Sequence, residues 1–139
     1  MSGENINQII SQLAHGAPEP ARLQGSLSTS FKQTDENPYW TFHTFELKDG
    51  SFAGGEFRQG KAGGRALLSL MAREDSPVTE SGLDLKPWGE VRNITASPRI
   101  QPEGADAYVY NVDGVQVSFQ FTHTSRRLRS VALEWGVDG

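Results

Sequence analysis

The sequence predicts an α+β fold, in which an N-terminal helix packs on a strongly twisted, mainly antiparallel sheet of about six to eight strands that could curl into a half-barrel. Three observations lead to it. Two Asp-Gly pairs are each flanked by runs of alternating hydrophobicity, which is typical of β-hairpins. Alternation continues through residues 108–135. Glycine, at 15 of 139 residues, exceeds its usual share of ~7% and indicates many tight turns.

The length and composition predict one domain over residues 1–139. The chain is 36% hydrophobic and 22% charged, which is ordinary for a globular protein. We expect a helix over 5–15, a hairpin-rich half over 22–74, a connection over 75–89 and an antiparallel meander over 90–137. No internal repeat interrupts this plan.

The first helix is indicated by four apolar side chains at helical spacing, Ile6, Ile9, Ile10 and Leu13. Asn5 can cap its start, and His15 complements the helix dipole at its end. Pro18 and Pro20 prevent its continuation. Because three turns are marginal alone in water, we expect Ile9 and Ile10 to be buried against the sheet.

The segments after the helix favour strands. From Arg22 onward, Leu23, Leu27 and Phe31 fit a half-buried strand, and residues 35–38 fit a turn. Trp40 and Trp135 are expected in the core of the sheet, and Phe52 and Phe57 are expected to point inward. The adjacent glycines at 54–55 suggest a bulge or a close backbone approach. Residues 65–74 fit a helix or a strand, and we favour the strand.

Composition also bounds the environment. There is no cysteine, which excludes disulfides and cysteine zinc sites and favours a reducing, cytoplasmic setting. No stretch reaches the ~20 apolar residues that cross a bilayer, so we expect no membrane association. The net charge is −4, which argues against an extended nucleic-acid surface. We expect no cofactor and no metal site, and the oligomeric state is open.

Histidine supplies one candidate chemistry. His43 and His123 both lie in strand-like segments rich in threonine and phenylalanine. The segment 123–125, His-Thr-Ser, resembles the motif of the two-histidine phosphoesterases, which is a histidine, any residue, and then threonine or serine. The segment 43–45, His-Thr-Phe, lacks that hydroxyl. Two ordinary strand histidines are the alternative interpretation.

Arginine and tryptophan supply two further candidates. Arg126, Arg127 and Arg129 form the densest basic cluster and could hold an anion, or they could be a solvated turn. Trp88 lies between proline and glycine in the predicted connection. It could be the anchor for a partner, or it could plug the end of the sheet.

The function class that the sequence favours is a non-enzymatic binding module. Small acidic cytoplasmic α+β domains include bacterial immunity and inhibitor proteins, which block a protein partner by surface complementarity; that is an analogy of class. A basic partner would meet the carboxylates in predicted turns, which are Asp35, Glu36, Asp49, Asp106 and Asp113. The alternative is a small enzyme or small-ligand carrier that uses His43 and His123 inside a curled sheet.

Overall fold

A computed structural model describes residues 3–16, 18–48, 52–61, 65–73, 88, 93–97, 105–112, 114–122 and 126–136. Within them lie two helices, α1 (Gly3–Ala14) and α2 (Pro20–Leu27). The strands are β1 (Lys32–Glu36), β2 (Trp40–Glu46), β3 (Phe52–Gly60), β4 (Ala66–Ala72), β5 (Asn93–Ser97), β6 (Ala105–Val112), β7 (Val115–Thr122) and β8 (Leu128–Trp135).

All eight strands form one sheet in the order β1-β2-β3-β4-β8-β7-β6-β5. Every neighbouring pair is antiparallel. The sheet therefore consists of two four-stranded meanders joined through β4 and β8. Because β1 and β5 stand at opposite ends of this order, the sheet is open. These findings confirm the α+β class and the mainly antiparallel sheet.

One face of the sheet carries the core. Directly paired residues on β3, β4, β8, β7 and β6 place one row of buried side chains across five strands, namely Phe57, Leu68, Leu133, Val117 and Tyr110. We call this face the inner face and the opposite one the outer face. Each fully buried side chain of this size contributes roughly 1.5–3 kcal/mol. Phe52, Phe57 and Trp135 are buried as the sequence predicts.

Helix α1 contributes to the same hydrophobic cluster. Ile6, Ile10 and Leu13 are buried, whereas Ile9 is only partly buried. The end of the helix is fixed by the guanidinium of Arg22, which donates to the carbonyl oxygens of Gln12 at 3.0 Å and Leu13 at 2.9 Å. These carbonyls have no partner within the helix, so the arginine supplies the missing donors.

His15 and Trp135 hold the chain where α1 ends. The Nδ1 of His15 donates to the carbonyl of Ser11 at 2.7 Å, which agrees with the predicted place of this histidine at the helix end. One residue further, the Nε1 of Trp135 donates to the carbonyl of Gly16 at 3.0 Å. The last strand and the first helix are thereby linked across almost the whole sequence.

The strand predicted from Arg22 onward is wrong, because residues 20–27 form helix α2. Pro20 occupies its first turn after an extended Glu19, a position where a missing N–H costs nothing. Leu23 and Leu27 are both buried and stand four residues apart. That spacing fits one face of a helix as well as one face of a strand, so periodicity alone could not separate them.

The turn predicted at 35–38 begins later, because Asp35 and Glu36 still belong to β1. The other local predictions fare better. Residues 66–72 form a strand, which settles the ambiguous segment. A register shift between Phe52 and Gly54 confirms the bulge in β3.

Gly55 provides the close backbone approach that the paired glycines suggested. A Cβ there would stand 1.8 Å from the backbone oxygen of Ser69, far inside contact distance. Only glycine therefore fits this position of the sheet.

Candidate functional site

Tyr39 is the large hydrophobic residue most exposed to solvent among the described residues, with 75% of its surface accessible. Its backbone is nevertheless fixed. The N–H groups of Tyr39 and Trp40 both donate to Oδ1 of Asn37 at 2.8 Å, which forms an Asx-type turn. The N–H of Lys61 donates to the carbonyl of Tyr39 at 2.9 Å. A solvated ring thus stands on a rigid turn.

Trp40 and Phe42 follow on the outer face of β2. The prediction that Trp40 lies in the core is wrong, because its ring is half-buried and faces away from the inner row. The guanidinium of Arg65 lies over the Trp40 ring at 5.5 Å, and that of Arg58 lies over Phe42 at 5.3 Å. Cation–π contacts of this kind explain how two aromatic rings remain stable on a solvated sheet face.

Two of the predicted carboxylates stand beside these rings. Asp35 and Glu36 are exposed in β1, and Asp35 pairs directly with Phe42 across the hairpin. Glu36 forms an ion pair with Lys61 at 2.7 Å. We refer to Asp35, Glu36, Tyr39, Trp40 and Phe42 as the hairpin tip.

The outer face also carries a shallow depression beside Phe42 and Arg58. Its volume is about 480 Å³, and its lining includes Thr44, Gly54, Ser69 and Met71. Gly54 has φ +152°, and a Cβ there would stand 2.3 Å from the backbone oxygen of Phe45. Met71, 44% exposed, borders the depression.

The remaining predicted carboxylates are placed differently. Asp106 lies in strand β6 and not in a turn, so the prediction of its setting is wrong. Its carboxylate forms an ion pair with Arg126 at 2.5 Å, and only 13% of its side chain is exposed. Asp49 and Asp113 lie outside the described residues.

Arg126 interacts with both Asp106 and Tyr108. Its Nη1 donates to Asp106, its Nη2 donates to the hydroxyl of Tyr108, and its guanidinium lies 5.6 Å from the Tyr108 ring centre. Its backbone has a left-handed φ of 56°, held by a hydrogen bond from its N–H to the carbonyl of Thr122 at 3.0 Å. Arg127 and Arg129 are half-buried nearby in sequence. An anion-binding role for the three arginines stays a prediction.

Trp88 is buried, with 7% of its surface exposed. Its Nε1 donates to Oδ1 of Asn7 in α1 at 2.9 Å, and its ring meets that of Phe119 at 5.6 Å between centres. Burial with a satisfied N–H favours the plug over the partner anchor, and the anchor role stays a prediction.

His43 lies on the inner face of β2, next to the core row. Its ring centre is 5.8 Å from Phe57 and 6.3 Å from Phe31. Within the described part of the chain, its Nδ1 is the buried side-chain nitrogen or oxygen atom without a hydrogen-bond partner. His123, the other member of the predicted pair, lies outside the described residues.

Comparisons with known proteins add no assignment. A scan against protein-family models and searches of curated proteins and of solved structures find no match to this chain. Among the described residues, no group of three or more histidine, aspartate or glutamate side chains is placed to hold a metal ion. The described helices are also too short and too polar to cross a membrane.

Sequence reasoning missed Tyr39 as a candidate. The signal was present, because Asn37 and Pro38 precede it and are turn residues. An aromatic residue directly after such a pair lies at the end of a hairpin, where neither face of a sheet covers it.

Proposed function

We propose that this chain is a non-enzymatic binding module of the inhibitor or immunity type, which acts on a protein partner through the hairpin tip. The observation that carries the proposal is Tyr39, an exposed aromatic ring on a turn whose backbone three hydrogen bonds fix. Tyrosine is enriched among residues that dominate binding energy. A rigid backbone reduces the entropy lost on binding.

The division of the sheet into two faces supports the same proposal. We propose that the helices cover the inner face and that the sheet curls around them as a half-barrel. The buried Ile10 and the links from Trp135 to Gly16 and from Trp88 to Asn7 support this packing. The part of the outer face that carries Trp40 and Phe42, next to Tyr39, then stays available for a partner.

Charge supports a basic partner. Asp35 and Glu36 are exposed beside Tyr39, and the chain carries a net charge of −4. Opposite charges at the rim of an interface raise the association rate, and salt weakens this effect because it shortens the Debye length. A cytoplasmic setting, inferred from the absence of cysteine, is part of the proposal.

The test is partner capture from the native host with the wild type, Tyr39→Ala and Met71→Ala. Met71 is the matched control, since it is also an exposed apolar side chain of the outer face but lies outside the hairpin tip. One stoichiometric partner that Tyr39→Ala loses and Met71→Ala retains would support the proposal. Equal capture by all three proteins would exclude the hairpin tip.

The kinetics of the purified pair separate the roles within the hairpin tip. We expect Tyr39→Ala to raise the dissociation rate, because an anchor in a desolvated contact acts after encounter. We expect Asp35→Asn with Glu36→Gln to lower the association rate mainly at low salt. If the partner is an enzyme, titration should inhibit it at a fixed ratio.

The second candidate function is a small enzyme or small-ligand carrier that uses His43 and His123. The Nδ1 of His43, which has no partner within the part of the chain that the structure describes, favours it, because a bound ligand could supply the missing hydrogen bond. A thermal-shift screen with small ligands tests it. A ligand that stabilises the wild type and not His43→Phe would support a site at His43, whereas none across a broad library would argue against it.

A further inference from the structure

Strand β1 forms one edge of the open sheet. It pairs with β2 on one side and, within the described residues, with no strand on the other. All five of its residues are exposed. An edge of this kind presents backbone N–H and C=O groups that can pair with another strand.

The sequence of β1 is complementary in charge to its own reverse. The strand reads Lys-Gln-Thr-Asp-Glu from residue 32 to residue 36. When two copies run antiparallel about an axis between Gln33 and Thr34, Lys32 of each copy lies opposite Asp35 of the other. Both side chains lie on the outer face, since Lys32 pairs with Thr44 and Asp35 pairs with Phe42 of β2. Parallel copies would instead place like charges opposite each other, which is unfavourable.

We propose that β1 pairs with β1 of a second copy of this chain in an antiparallel, two-fold symmetric dimer. A single two-fold axis satisfies both lysines at once, as in other dimers that use the same surface on each subunit. Within the described residues, Lys32 has no ion pair, and the carboxylate of Asp35 accepts a hydrogen bond only from the N–H of Glu36. Both side chains are therefore available to the second copy.

Edge strands often carry charges and bulges that discourage pairing, and β1 has both. Its register against β2 shifts between Gln33 and Asp35. The charges of β1 disfavour pairing with most other strands. They favour a strand whose charges follow in the opposite order, which an antiparallel second copy supplies. The charges therefore make a second copy of this chain the favoured pairing partner of β1.

The dimer is expected to be weak. A five-residue edge buries less than the ~1,200 Å² at which stable interfaces begin. Exposed ion pairs add little and are screened by salt. The same carboxylates belong to the hairpin tip, so a dimer would compete with the protein partner proposed above, although the dimer does not depend on that proposal.

The test is sedimentation equilibrium of the full chain at low salt, at concentrations up to about 1 mM, where weak complexes form. We expect the weight-average mass of the wild type to rise toward twice the monomer mass. Lys32→Glu alone and the double variant Asp35→Lys, Glu36→Lys alone should each raise the dissociation constant about tenfold or more, since repulsion replaces attraction.

Mixing the two variants is the decisive experiment. The opposite charges are restored between unlike copies, so the mixture should associate while each variant alone does not. Lys48→Glu is the matched control, because Lys48 is exposed and lies outside β1. A wild type that stays monomeric, a mixture that does not associate, or an equal effect of Lys48→Glu would each overturn the proposal. Circular dichroism checks that every variant is folded.

Discussion

Replacing His43 by phenylalanine should stabilise this protein. The Nδ1 of His43 is buried and has no hydrogen-bond partner among the described residues, which for a polar group costs about 1–3 kcal/mol relative to solvation in the unfolded chain. Phenylalanine has a similar planar shape and carries no polar atom. It would remove this cost without leaving a cavity.

The surroundings of His43 favour the new ring. Phe31 and Phe57 lie at 6.3 and 5.8 Å between ring centres, within the range for aromatic pairs. Phe31 also packs against Phe45 at 5.1 Å and Phe57 at 5.0 Å, so the substitution would extend an existing aromatic cluster. We expect the free energy of unfolding to rise by about 1–2 kcal/mol, which leaves room for imperfect packing.

Urea denaturation measures this change. The midpoint should move to higher urea with an unchanged slope, because the surface exposed on unfolding stays the same. In a thermal scan the midpoint should rise by about 3–8 °C. His43→Gln is the control, since it keeps buried polar atoms and loses the ring, and it should not stabilise.

A loss of stability in His43→Phe would refute this reasoning. It would mean that the Nδ1 atom has a partner, such as an ordered water or a residue outside the described ranges. A gain would mean that the chain keeps a histidine at a cost in stability, as proteins do at functional positions. That outcome would strengthen the ligand-binding alternative.

Four other outcomes follow from the packing. Gly55→Ala should lower the free energy of unfolding by about 3 kcal/mol or more, because its Cβ would stand 1.8 Å from a backbone oxygen of β4. Gly25→Ala should raise it by about 0.5–1 kcal/mol, because Gly25 lies in a helix with open space around it. Urea denaturation of the two variants measures both changes. Asp106→Asn should lower the free energy of unfolding by about 1–3 kcal/mol, because it removes the negative charge that pairs with the part-buried guanidinium of Arg126. If this pair is the cause, Asp106→Asn should cost much less in a chain that also carries Arg126→Ala, and an equal cost in both backgrounds would contradict the explanation. Trp88→Phe should lower the free energy of unfolding by about 1 kcal/mol, because it removes the indole hydrogen bond to Asn7. An unchanged midpoint of urea denaturation would place this ring outside the core.

Local patterns were enough to predict much of the fold. The helical spacing of Ile6, Ile10 and Leu13 specified α1, and alternation in 115–135 specified β7 and β8. The paired glycines at 54–55 predicted a bulge that the register confirms. These signals work because backbone geometry fixes which side chains share a face, whatever lies beyond the segment.

Other features depended on contacts distant in sequence. Leu23 and Leu27 fit either a helix or a strand, and their burial together with Pro20 at the helix start decided for a helix. The alternation of Trp40 with polar residues predicts a core position, yet the register of β2 places Trp40 on the outer face. The guanidinium of Arg65, which lies directly before β4, covers the ring there.

For the candidate site as well, the sequence predicted some features and the tertiary structure decided the others. The sequence by itself predicted Asp35 and Glu36 as surface carboxylates, but it placed them in a turn, whereas they belong to β1. Only the tertiary structure decided that Tyr39 stands exposed beside them on a fixed backbone, and that Asp106 faces Arg126. A side chain's neighbours across strands depend on the register, and the register is set by the packing of the whole sheet.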